Sequence, residues 1–78
     1  MKTIPISEAQ KNKMYVINKV DIENEKVKNH LNNLMIIKNE KIKILHKSYG
    51  CKAFIVSVQG INYAIEKAIC DKILVYDL

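Results

Sequence analysis

The clearest pattern of apolar and polar positions lies at residues 53–65, where two apolar runs flank Gln59-Gly60. A two-residue turn at this point pairs the two runs residue by residue: Val58 with Ile61, Val56 with Tyr63, and Phe54 with Ile65. Because side chains alternate between the faces of a strand, all six would lie on one face. Gly60 supplies the positive φ that tight hairpin turns require. The pattern predicts a hairpin in the core of a small β domain.

A short helix is predicted between residues 25 and 34. Val27, Leu31 and Leu34 recur at helical spacing and form one apolar stripe, and Asn24 precedes them as an N-cap. Two turns are predicted at Lys-Asn pairs. One is Lys11-Asn12, before the first long strand, and the other is Lys38-Asn39, after the helix. Asn accepts the left-handed backbone conformation better than most residues with a Cβ.

Three further strands are predicted, at residues 14–20, 40–47 and 73–76. The first has two conflicting apolar alternations, one through Tyr15 and Ile17 and the other through Val16 and Val20, which a β-bulge or strong coiling of the strand would reconcile. Before it, residues 4–9 read as an extended entry followed by a single helical turn, which Ser7 caps and in which Ile6 and Ala9 point inward. The elements together predict a mainly β fold, a partly open five-stranded barrel with one short helix between strands 1 and 2. We expect its core to comprise Ile17, Leu31, Leu34, Ile42, Ile44, Phe54, Val56, Val58, Ile61, Ile65 and Val75.

Length and charge narrow the class of protein. Seventy-eight residues predict one domain, residues 1–78, and no apolar run reaches the roughly 20 residues of a membrane span. With no signal peptide visible, we expect a cytoplasmic protein. The net charge of +5 comes with thirteen lysines and no arginine. Since Arg is the preferred side chain for clamping phosphate and reading guanine, no nucleic-acid partner is expected.

The residues that carry chemistry are few. The histidines are His30 and His46, and the cysteines Cys51 and Cys70 are far apart in sequence. His46 with Cys51 would supply only half of a tetrahedral zinc site, and no acidic cluster offers oxygen ligands for a harder cation. We therefore expect no catalytic residues, no metal site and no cofactor, and interpret the chain as a binding module rather than an enzyme.

The order of these residues resembles the FeoA family, the small SH3-like cytosolic proteins of bacterial ferrous iron uptake. The resemblance covers the whole chain; it is carried by residues 6–12, Leu34 to Asn39, the Ile42-Lys43-Ile44 strand, Gly50, Gly60, Tyr63 to Ile65 and Cys70 to Val75. Asn12 and Asn39 stand where the family has Gly in Pro-Gly turns. Met35 replaces a further Gly, and Cys70 replaces Ala. The resemblance implies an SH3-like barrel and a non-enzymatic accessory protein that docks on the cytosolic, GTPase-bearing part of the FeoB permease.

A candidate contact surface lies in the loop at residues 46–52. Tyr49 stands beside Gly50 in a turn, flanked by Lys47 and Lys52, and exposed aromatic residues are frequent binding anchors. We therefore predict that Lys47, Tyr49 and Lys52 bind the partner.

Two other functional classes remain open from the sequence. One is a small basic barrel that stacks nucleic-acid bases on tyrosines. The other is an effector-type domain like the C-terminal domain of iron-dependent repressors, which would normally accompany a helix-turn-helix that this sequence lacks. An open barrel also has edge strands through which copies could associate.

Overall fold

The computed structural model describes residues 2–48, 50 and 52–78 as one antiparallel sheet with two short helices. The elements in chain order are β1 (Ile4–Pro5), a 3₁₀ turn (Ile6–Glu8), β2 (Met14–Val20), α1 (Glu25–Asn33), β3 (Lys41–Ser48), β4 (Ala53–Val58), β5 (Ile61–Glu66), α2 (Lys67–Cys70) and β6 (Ile73–Asp77). The strands follow the spatial order β1-β6-β2-β3-β4-β5, so β1 and β5 form the two edges.

The mainly β, SH3-like architecture is confirmed, with six strands in place of the predicted five. The additional strand is β1, which pairs with β6 through Ile4 opposite Val75 and Pro5 opposite Leu74. Two residues are too few to show a period of two in a sequence. Pro5 lacks a backbone N–H and is tolerated here because β1 is an edge strand.

The hairpin of β4 and β5 has the predicted register at all three pairs. Gln59 and Gly60 both have positive φ, 53° and 78°, as a tight two-residue hairpin turn requires. The prediction that Ile61 belongs to the core was wrong, because its side chain is 54% exposed. Ile61 directly follows the turn on an edge strand and lies past the part of the sheet that the core covers. Leu34, also predicted in the core, is only partly buried against it.

A bulge in β2 resolves the two conflicting alternations of that strand. Ile17 pairs with Val75 and Lys19 pairs with Leu74, so Asn18 is an extra residue without an opposite number. Tyr15, Val16 and Ile17 are consecutive and all buried, at 4%, 8% and 0% exposure. The predicted bulge is therefore confirmed. It coils the strand, so that side chains on both faces of β2 have apolar neighbours.

Helix α1 has a defined start and a defined end. The Asn24 side chain accepts hydrogen bonds from the backbone N–H groups of Lys26 and Val27, at 2.9 and 3.2 Å. At the other end the Met35 N–H donates to Asn32 and the Ile36 N–H donates to Leu31. These two bonds make a Schellman motif, whose left-handed position is Met35 with φ of 64°. The motif turns the chain so that Ile36 enters the core beside Leu31.

The core lies inside the curled sheet and is closed by residues from α1, α2 and the 3₁₀ turn. Most predicted core residues are buried there, and the sequence reasoning left out Tyr15, Ile36, Cys70 and Ile73. Ile6 and Ala9 point inward as predicted. Asn12 and Asn39 adopt the predicted left-handed conformation, with φ of 65° and 74°.

Candidate functional site

The predicted contact loop joins β3 to β4 at one end of the sheet. Lys47 pairs with Phe54, and Ser48 pairs with Ala53, so the loop is the connection of a second hairpin. Tyr49, the predicted anchor of the site, lies outside the described residues, as does Cys51. The described part of the site therefore consists of Lys47, Gly50 and Lys52.

The two predicted lysines have different environments. The Lys47 ammonium lies 6.0 Å from the centroid of the Phe54 ring, so this side chain is held along the edge of the core. Lys52 is exposed and has a left-handed backbone with φ of 54°. Its carbonyl accepts a 2.7 Å hydrogen bond from the backbone N–H of Lys67, the first residue of α2. Lys52 is therefore an exposed residue whose backbone is hydrogen-bonded to the start of α2.

Metal ligands are not brought together in the described part of the chain. Within residues 2–48, 50 and 52–78, no group of three His, Cys, Asp or Glu side chains is placed to hold a metal ion. His30 and His46 are both exposed, on α1 and β3 respectively. The predicted half-site of His46 and Cys51 involves a residue outside the described set, so the expectation of no metal site stays a prediction.

Cys70 is fully buried at the end of α2, and its Sγ lies 3.8 Å from the carbonyl oxygen of Ile65. Burial raises the pKa of the Cys70 thiol to about 12, and the nearby Asp71 carboxylate adds to the rise. A thiol of this kind is neutral at physiological pH and is a poor nucleophile or metal ligand. Cys70 is a packing residue of the hydrophobic core.

A cluster joins the two ends of the chain next to Cys70. The Ser7 hydroxyl donates a hydrogen bond to Asp71 Oδ1, and the Lys67 ammonium contacts both carboxylate oxygens of Asp71 at 3.1 and 3.2 Å. The hydrogen bond from Ser7 lowers the pKa of the Asp71 carboxyl group, and Lys67 lowers it further. The prediction that Ser7 caps its own helical turn was wrong: the turn has no side-chain cap.

Sequence reasoning missed a cleft of about 400 Å³ between α1, the end of β2 and residues 36–38. Its lining includes three lysines from three separate segments: Lys19, Lys28 and Lys38. Apolar side chains also line it: Val20, Ile36 and Ile37. No local motif in the sequence indicates this cleft, because its three lysines come from separate segments that only the tertiary fold places along one cleft.

No described helix has the length and apolar character needed to cross a bilayer.

Comparisons with known proteins agree on one family and one fold. The model of the FeoA domain matches residues 4–77 of the chain. A solved iron uptake regulatory protein (FeoA) aligns over the whole of both chains with a TM-score of 0.83 at 19% identity. A solved FeoA-like protein from Clostridium acetobutylicum aligns with a TM-score of 0.83 at 20% identity. The alignment covers the whole of this chain and 90% of the Clostridium chain.

The same fold also forms one part of a longer solved chain. The IdeR protein of T. acidophilum matches all of this chain with a TM-score of 0.84 at 20% identity, and the match covers 35% of the IdeR chain. At such identities the likeness shows the shared fold alone. No curated protein sequence matches the chain.

Proposed function

The chain belongs to the FeoA family, and we propose that it is a non-enzymatic accessory protein of ferrous iron uptake that binds the cytosolic part of the FeoB permease. The observation that supports this is the family match over residues 4–77, together with a solved FeoA that has the same fold along its entire length. The role is cytoplasmic, because the GTPase part of FeoB lies on that side of the membrane. The protein would support the assembly or the activity of the permease.

A binding role agrees with the side chains that the fold brings together. Among the described residues, the ionisable groups in contact with one another are Lys–Asp pairs on the surface. An acid–base or nucleophilic mechanism needs a nucleophile and a base within hydrogen-bonding distance in a cleft. The buried thiol of Cys70 is un-ionised and sealed from solvent, so it supplies no such nucleophile.

We further propose that FeoB is contacted through the loop at residues 46–52. Lys47 and Lys52 present positive charge at this end of the sheet, and Gly50 is exposed between them. Tyr49 would supply the apolar anchor, since aromatic residues flanked by charged side chains are common hot spots. Charges at the rim of such a contact mainly set the association rate and its dependence on salt.

The test is a binding measurement between the purified chain and the purified cytosolic part of FeoB. Wild-type protein should bind, Tyr49→Ala should bind more weakly, and a Lys47→Ala, Lys52→Ala variant should associate more slowly at low salt. The matched control changes two exposed lysines elsewhere, Lys41 and Lys72, to Ala. No binding by the wild type would contradict the proposed function. Equal binding by all four proteins would reject only the proposed surface.

A second candidate is an effector-type domain like the C-terminal domain of metal-dependent repressors. It is favoured by the likeness to IdeR of T. acidophilum, in which this fold is about one third of the chain. On this hypothesis the partner would be a helix-turn-helix protein rather than a permease. Adding the purified chain to candidate repressors from the same cells, with FeoB as the competing partner, separates the two functions.

A further inference from the structure

We propose that the cleft between α1, β2 and residues 36–38 is a docking site for a segment of a partner protein that carries both carboxylates and aliphatic side chains. This surface is separate from the loop at residues 46–52. The proposal does not depend on FeoB as the partner.

The charge of the cleft is of one sign. Lys19, Lys28 and Lys38 line it, and no Asp or Glu does. Lys19 lies 3.8 Å from Asp21 in an exposed ion pair. Among the described residues no carboxylate lies within ion-pair distance of Lys28 or Lys38. Two ammonium groups without a carboxylate partner among the described residues line the same cleft as a third, which creates a positive potential that a carboxylate ligand would relieve.

The floor of the cleft is apolar. Ile36 is buried at 1% exposure, and Val20 and Ile37 are half-buried beside it. The backbone N–H of Ile36 donates a hydrogen bond to the carbonyl of Leu31 at the end of α1, which holds this residue in place. A purely anionic ligand would leave this apolar surface in water. A segment with an aliphatic side chain between acidic ones would cover it and gain from its burial.

Two amides complete the lining. Asn18 is the extra residue of the β2 bulge, and Asn32 lies one helical turn after Lys28 on the same face of α1. In the described part of the chain neither amide makes a side-chain hydrogen bond. Each has an N–H₂ group available to a carboxylate or to a peptide carbonyl. The ammonium and amide groups can bind the carboxylates and peptide carbonyls of a polypeptide segment, and the aliphatic groups can pack against its apolar side chains.

The same lining argues against other anionic occupants. Nucleic acid bases are usually held on aromatic side chains, and none of the described residues that line the cleft is aromatic. The chain has no arginine to clamp a phosphate with two parallel hydrogen bonds. A membrane would need a broad flat face, whereas the volume of about 400 Å³ is that of a compact ligand pocket.

The test uses the full chain, isotopically labelled, and a short peptide in which Asp and Leu alternate. Amide signals of residues 18–20, 28, 32 and 36–38 should shift on titration at low salt. The control peptide has Asn in place of every Asp and should bind roughly tenfold more weakly or worse, since it lacks the charges. Equal affinity for the two peptides would reject the proposal, and so would shifts confined to another surface.

Two charge-reversal variants locate the site. Lys28→Glu with Lys38→Glu reverses two cleft lysines, and the matched control, Lys26→Glu with Lys41→Glu, makes the same change of net charge outside the cleft. The cleft variant should lose about tenfold or more in affinity, whereas the control should lose much less. If the cleft variant fails to fold, Lys28→Gln with Lys38→Gln serves in its place. Equal losses in the cleft and control variants would mean that only net charge matters and would reject the site.

Competing occupants are tested in the same titration. Single-stranded DNA and vesicles of anionic lipid replace the peptide, with the same residues observed. If the DNA or the vesicles saturate the signal shifts of the cleft residues at a lower concentration than the peptide does, the assignment to a protein segment is overturned. Because FeoB is absent from every arm, failure of the FeoB binding assay leaves this result unaffected.

Discussion

The Ser7 hydroxyl donates a hydrogen bond to the Asp71 carboxylate, across 64 positions of the sequence. This bond links the 3₁₀ turn after β1 to the turn between α2 and β6. Ser7 is buried at 8% exposure, whereas Asp71 is partly exposed and also pairs with Lys67. The contact fastens both ends of the chain to each other beside the buried Cys70.

We predict that Ser7→Ala lowers the free energy of unfolding by about 0.5–1.5 kcal/mol at pH 7, the usual contribution of one hydrogen bond. The pKa of Asp71 is lowered from 3.8 in the folded protein, first by Ser7 and then by Lys67. A depressed carboxyl pKa stabilises the fold above the unfolded value and loses that contribution as pH falls through the folded value. Urea unfolding should therefore show a smaller effect of Ser7→Ala well below pH 3.8 than at pH 7.

Asp71→Asn provides the control for this pH dependence. Since the amide does not titrate, Ser7→Ala made in that background should have the same effect at both pH values. A loss that is equally large at acidic and neutral pH with Asp71 present would contradict the assigned role of the carboxylate.

Met35→Gly should stabilise the protein by roughly 0.5–1 kcal/mol. Met35 is left-handed, with φ of 64°, and a residue with a Cβ is disfavoured there by about 1–2 kcal/mol. Its side chain is 39% exposed, so little packing is lost, and the higher chain entropy of Gly offsets only part of the gain. Thermal unfolding measures the change. Asn29→Gly, at an exposed position in the middle of α1, should destabilise instead. A loss for both variants would show that the Met35 side chain packs more than its exposure suggests.

Val56→Ala and Ile61→Ala test how far the core extends along the shared apolar face of the hairpin. Val56 is fully buried in β4 and its truncation should cost roughly 1–3 kcal/mol, because it leaves a cavity. Ile61 is 54% exposed, and its truncation should change stability by about 0.5 kcal/mol or less. Denaturant unfolding of the two variants checks this. Equal losses would mean that Ile61 is covered in solution.

The hairpin could be predicted to the residue because its determinants are local. Alternation fixes which residues pair, and Gly60 fixes the turn. The exposure of Ile61 could not be predicted in the same way. It depends on β5 lying at the edge of the sheet, which is a property of the strand order rather than of the hairpin.

The bulge in β2 could be predicted in part: its presence, but not its position. The conflicting alternations of Tyr15 and Val16 indicated an irregular strand, and the structure places the extra residue at Asn18. The cleft, by contrast, had no signal in the sequence. Lys19, Lys28 and Lys38 belong to a strand, a helix and a loop, so their proximity follows only from how those elements pack. The Ser7–Asp71 contact was missed for the same reason, and Ser7 was assigned to the nearest local role instead.

Cys70 should resist alkylation in the folded protein. A pKa of about 12 leaves roughly one thiol in ten thousand ionised at pH 8, and the side chain is fully buried. In a Cys51→Ser variant, where Cys70 is the remaining cysteine, iodoacetamide should react only at the rate of unfolding. The same variant in urea should react quickly. Rapid alkylation without urea, measured by mass spectrometry, would show that α2 opens readily.

The last prediction concerns how the chain would act on the GTPase domain of its proposed partner FeoB. An arginine finger accelerates phosphoryl transfer by about 10³–10⁵ because its guanidinium neutralises charge on the transferring group. This sequence has thirteen lysines and no arginine, and the ammonium of Lys lacks the planar fork. We therefore expect saturating protein to change single-turnover GTP hydrolysis less than about tenfold. Its effect would be to shift the populations of FeoB conformations or assemblies. A thousandfold acceleration that one Lys→Ala change abolishes would show that a lysine performs the role of the finger.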